Sequence, residues 1–142
     1  TRERPTSTRR MNGTETVLLV EEDPGVRRVT AGALRLYGYK VVEAGRAEEA
    51  LAAAARAQES PIRLLVADLL LQGTDGQTLH RNLRLRIPGI RVLFLNGFPG
   101  PFAMGPSGII EEPVLHKPYS PLRLAGWVRA AIDGVPPEAW GT

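Results

Sequence analysis

The chain has 142 residues, enough for one domain with its own core and too few for a second of ordinary size. Its composition, 43% apolar and 23% charged, is that of a water-soluble fold, and no apolar run reaches the roughly 18 residues of a membrane span. The absence of cysteine excludes disulfides, thiolate catalysis and zinc–cysteine sites. The net charge of +3 resides in Arg2, Arg4, Arg9 and Arg10 against Glu3, so the rest of the chain is neutral and carries no basic face for nucleic acid.

Residues 1–14 are expected to form a flexible basic arm or linker, 15–134 the domain, and 135–142 a tail. The apolar run TVLLV, 16–20, predicts a strand buried on both faces, followed by a helix with Pro24 in its first turn and Gly38 as its stop. KVVEA, 40–44, predicts a second strand, and RAEEALAAAARAQE, 46–59, an Ala-rich helix. IRLLVADLLL, 62–71, predicts a third strand, 75–86 a helix capped by Asp75, and IRVLFL, 90–95, a fourth strand. Glycine and proline crowd 97–113, where at most a turn or two of helix is expected. PVLH, 113–116, predicts a short strand, and 120–133 a closing helix capped by Ser120 with Pro121 next. Five strands alternating with helices predict an α/β fold with a parallel sheet covered on both faces.

In such sheets functional groups gather beyond the carboxyl ends of the strands. Glu21 and Glu22 follow the first strand, Asp68 ends the core of the third, Asn96 ends the fourth and Lys117 the fifth. Converging carboxylates raise one another's pKa unless a cation neutralises them, and a hard, oxygen-seeking ion such as Mg²⁺ suits them. A carboxylate beside Mg²⁺ and a lysine can act as nucleophile on a phosphoryl donor, giving an aspartyl phosphate. Asp23 is expected to cap the first helix rather than bind metal. His80 is expected on the exposed side of its helix, and His116 turned away from the site. Trp127 is read as core or helix-face packing, and Trp140 as part of the tail.

VLLVEEDPGVRR, VADLLLQGTDG and LHKPYSPLRL, in this order and spacing, resemble the receiver domains of two-component response regulators from about Thr16 to Asp133. The resemblance implies a flavodoxin-like (βα)5 doubly wound parallel five-stranded sheet of order 2-1-3-4-5, here with an irregular or shortened fourth helix. It implies Asp68 as phosphoacceptor, Glu21 and Glu22 as the acidic pair holding magnesium with Asp68 and the Leu70 backbone carbonyl, and Lys117 as the phosphate-contacting base. Asn96 takes the position of the usual Thr or Ser. The implied partner is a histidine kinase or histidine phosphotransfer domain in the cytoplasm of a bacterium, with no nucleic acid, no membrane contact and at most a weak homodimer.

Several residues depart from the family pattern. Glu22 replaces the usual Asp, Val114 a common Tyr or Phe, and Leu71-Gln72 a common Met-Pro. VLFLNGF and LHKPYSP look most like the C-terminal receiver of a hybrid sensor histidine kinase, and the Thr at position 1 favours a piece cut from a longer protein. No ATP-binding kinase motif is present, so catalysis is expected to stop at the domain's own aspartyl phosphorylation. One alternative is a pseudo-receiver, a phosphorylation-independent interaction module. The other, a phosphate-handling enzyme or flavin binder, lacks a P-loop, a G-x-G-x-x-G after the first strand, and a second Asp two residues beyond Asp68.

Overall fold

Strands apolar on both faces need cover above and below, and a parallel sheet flanked by helices supplies it. The computed structural model describes residues 11–57, 61–97 and 104–135. Its main sheet contains β1 (Thr16–Val20), β2 (Lys40–Ala44), β3 (Ile62–Asp68), β4 (Arg91–Asn96) and β5 (Val114–His116). All pairings are parallel and the order is β2-β1-β3-β4-β5, as expected for a flavodoxin-like receiver fold. Among the described residues the helices are α1 (Pro24–Leu36), α2 (Ala47–Arg56), α3 (Gly76–Arg86) and α4 (Pro121–Asp133). None is long and apolar enough to cross a membrane.

Strand side chains alternate between faces. Val17, Leu19, Val66, Leu95 and Leu115 therefore pack on α1 and α4, whereas Leu18, Val20, Ala67, Val92 and Phe94 pack on α2 and α3. This parity carries on past the strand ends and decides which polar residues can meet.

Local capping works as the sequence indicates. Asp23 Oδ1 accepts from the Gly25 and Val26 amides at 2.8 and 3.2 Å, Asp75 Oδ1 from Thr78 N at 2.8 Å, and Ser120 Oγ from Arg123 N at 3.0 Å. Pro24 and Pro121 open α1 and α4. Gly38, at φ +99°, lets the chain turn out of α1.

The structure also refines or changes several expectations. The third strand stops at Asp68 instead of running to 71. Leu70 and Leu71 turn back to pair antiparallel with Asp75 and Thr74, a reversal that Gly73 permits at φ +78°. Where an irregular or shortened fourth helix was expected, Met104–Gly105 and Gly108–Ile109 form an antiparallel hairpin, while 98–103 lie outside the described residues. His80 is buried, 6% exposed, with Nε2 3.4 Å from the Ile90 carbonyl and its ring edge-on to Phe94. Trp127 is partly buried against the α1/α4 side of the core, with the Arg123 guanidinium over its ring.

The segment before β1 is tied to the opposite end of the domain. Arg129, 3% exposed, reaches Glu15 at 2.9 Å, Asp133 at 2.7 Å and the Asn12 carbonyl at 3.3 Å. Residues 11–14, expected to belong to the arm, are thus held against α4. Residues 1–10, Trp140 and the rest of the tail from 136 lie outside the described residues.

Candidate functional site

Beyond the carboxyl ends of β1, β3 and β5, parity sends Glu21, Asp68 and Lys117 to the α1/α4 side. They meet there. Lys117 Nζ lies 2.9 Å from Glu21 Oε1 and 3.1 Å from Asp68 Oδ1. Asp68 Oδ1 is buried, and its contact with Lys117 is an ion pair rather than an aligned hydrogen bond. Gly76, the first residue of α3, lies so close behind Asp68 that a Cβ there would stand 2.5 Å from the Asp68 carbonyl oxygen.

The electrostatics follow from two carboxyls facing one ammonium. Burial, then the neighbouring Glu21, pushes the Asp68 carboxyl up to about 7. Burial also acts to raise Glu21, but hydrogen bonds from Lys117 and from Asp68 outweigh it and hold Glu21 below the usual range. Lys117 loses hydration, which opposes its charge, yet the two carboxyls raise its pKa. The two carboxyls are thus pushed in opposite directions, Asp68 up and Glu21 down, about one ammonium.

Glu22 and Asn96 stand on the α2/α3 side by the same alternation. Glu22 is exposed, and its carboxylate accepts from the backbone amide of Gln72 in the turn after Asp68. Asn96, 1% exposed, has its amide nitrogen 3.0 Å from His116 Nδ1, so the two residues at the ends of β4 and β5 stay together. Leu70 is half exposed and Val114 is partly buried. Among the described residues no three carboxylate, histidine or cysteine side chains are grouped to hold an ion.

The donor set still fits a hard divalent cation. Mg²⁺ is commonly bound by one or two carboxylates, with water and substrate oxygens completing its shell. Glu21 and Asp68 offer two carboxyls, one oxygen of which is buried without a hydrogen bond, and among the described residues a single ammonium, Lys117, faces both.

Beside this centre, Asp23, Gly25, Val26, Val29 and Thr30 of the α1 region face Lys117, Pro118 and Tyr119 across a groove of about 650 Å³. Val29 is 73% exposed. Sequence reasoning missed the Gln72 amide as the partner of Glu22 and Ser107 as a partner of Asp75. Neither carries a local signal, because each contact joins segments far apart in the chain.

The family model described as the response regulator receiver domain matches residues 17–103. The sensor kinase CckA of Brucella abortus (strain 2308) is 33% identical over 124 residues, which cover 87% of this chain but only 13% of CckA. The response regulator receiver protein CpdR of the same organism is 31% identical over 105 residues, covering 72% of this chain and 84% of CpdR. The crystal structure of the receiver domain from the hybrid histidine kinase CckA superposes with a TM-score of 0.68 at 33% identity, covering 82% of this chain and 98% of that domain.

Proposed function

Because the chain belongs to the response regulator receiver domain family, we propose that it takes a phosphoryl group from a phosphohistidine onto Asp68. The observation that carries this reading is the Asp68 carboxyl, with Oδ1 buried, held with Glu21 about a single ammonium, Lys117. The ionised Asp68 carboxylate attacks phosphorus in line. An O–P bond forms as the P–N bond to the donor imidazole breaks, and the bonding pair leaves with the imidazole nitrogen. Lys117 offsets the charge on the phosphoryl oxygens and on the carboxylate that becomes an acyl phosphate.

Glu21, Asp68 and the Leu70 carbonyl are the groups we propose for Mg²⁺, and Asn96 for the flank of the phosphoryl group. When bound, the ion supplies further neutralisation of the phosphoryl oxygens. The donor would be a histidine kinase or a histidine phosphotransfer domain in the cytoplasm. The apolar groove at α1, with exposed Val26 and Val29 beside Lys117, offers such a partner a place to rest a helix. Likeness to CckA supports a place within a hybrid kinase, and likeness to CpdR supports a free-standing receiver.

Incubation with Mg²⁺ and acetyl phosphate, followed by intact-mass measurement, tests the chemistry. We expect a phosphate increment in the wild type that is absent from Asp68→Asn. No increment in the wild type would leave the second reading, a phosphorylation-independent interaction module, which the engagement of Glu22 with Gln72 favours.

A further inference from the structure

Strand alternation separates the two adjacent acids. Glu21 continues the Val17–Leu19 face and meets Lys117 and Asp68, whereas Glu22 continues the Leu18–Val20 face and meets the turn that leaves Asp68. That turn has few other ties at its tip. Its base is fixed by Leu69 N donating to Leu95 O at 2.9 Å, Gly76 N donating to Leu69 O at 2.9 Å, and the Leu70–Asp75 and Leu71–Thr74 pairing. Gln72 and Gly73, at the tip, are exposed, and the Gln72 amide is met by the Glu22 carboxylate.

We propose that Glu22 is a positioning residue, which holds the turn after the phosphoacceptor by accepting the Gln72 amide hydrogen bond, rather than a direct metal ligand. The proposal rests on the reading of Asp68 as phosphoacceptor. It gives a physical role to the glutamate at this position: the additional methylene relative to aspartate extends the carboxylate across to a segment 50 residues later. Holding Gln72 fixes Leu70 two residues earlier, and with it the backbone carbonyl proposed above as a group for Mg²⁺. A carboxylate accepting a backbone amide is among the stronger hydrogen bonds, so its loss loosens the turn without touching the core.

The test compares Glu22→Ala, Glu22→Gln and Glu22→Asp, first by amide hydrogen exchange without metal and then by Mg²⁺ titration. Glu22 is exposed, so these variants spare the core. A glutamine oxygen can accept the same hydrogen bond, whereas the aspartate is too short. We expect the Gln72 amide to exchange about tenfold faster in Glu22→Ala and Glu22→Asp, with protection restored in Glu22→Gln. Mg²⁺ affinity should fall about tenfold in Glu22→Ala and stay within about threefold of wild type in Glu22→Gln. Unchanged Gln72 exchange in Glu22→Ala overturns the proposal. So does a Glu22→Gln variant that protects Gln72 yet binds Mg²⁺ as poorly as Glu22→Ala, the behaviour of a ligand. A wild type that neither binds Mg²⁺ nor accepts phosphate counts against the phosphoacceptor reading, while the metal-free exchange comparison still decides the role of Glu22.

Discussion

Asp68 is held between burial and Glu21, which favour its protonated form, and Lys117, which favours the ionised one. Its pKa, raised from 3.8 to about 7, makes the stability linked to it full below about pH 4 and lost as pH rises through 7. Glu21 has the opposite sign: its pKa is lowered, so its contribution is present above the ordinary glutamate value and is lost on acidification. Asp68→Asn removes the charge that burial and Glu21 disfavour. We therefore expect the variant to be more stable than wild type at pH 8 by at least about 1 kcal/mol, with the difference closing toward pH 5. Thermal unfolding followed by circular dichroism at the two pH values checks this, and a variant less stable than wild type at pH 8 would contradict it. His80 is a second residue whose environment matters more than its helix. Burial lowers its pKa, and its ring lies edge-on to Phe94 instead of in solvent.

The two hairpins work as elements. Asp75 caps α3 and also accepts from Ser107 Oγ, whose backbone amide donates to Gln77 Oε1 at 3.0 Å. Gln77 Nε2 in turn donates to the Gly108 carbonyl at 3.1 Å. The Met104–Ile109 hairpin is thereby seated on the first turn of α3, directly behind the Asp68 backbone. Ser107→Ala removes one arm of this seat and leaves the cap intact. We expect the Gly105 and Gly108 amides to exchange faster, with a global stability loss of about 1 kcal/mol. Equal loss of protection across the whole sheet would show that the hairpin does not open separately. Gly76→Ala should cost more, about 2 to 3 kcal/mol in urea unfolding, because its Cβ would meet the Asp68 carbonyl at 2.5 Å and Phe94 at 3.2 Å.

At the scale of the whole molecule, Glu21, Asp68 and Lys117 gather at one end of the sheet and an ionic clamp closes the other. Arg129 joins the segment before β1 to the last helix, and its hydrogen bond holds the Glu15 carboxyl down to about 2. Arg129→Ala would strand Glu15 beside Tyr39 and Asp133 and open the packing of α4. A loss of about 3 kcal/mol in urea unfolding is expected. A change below about 1 kcal/mol would mean that core packing alone holds this end.

What the sequence determined by itself is local. Buried strands show as continuous Val and Leu, helix starts as Asp23, Asp75 and Ser120, and turns as glycines, because each signal acts within one or two turns of backbone. The order of these elements, with acids, amide and lysine at strand ends, was enough for the sheet and for the meeting of Glu21, Asp68 and Lys117. Tertiary structure alone decided the remaining partners. Glu22 pairs with a residue 50 positions away, Asp75 with one 32 away, and Arg129 with one 114 away. Two adjacent glutamates read alike as letters. They differ because the pleat turns one toward Lys117 and the other toward Gln72, and what waits on each side is set only when distant segments close.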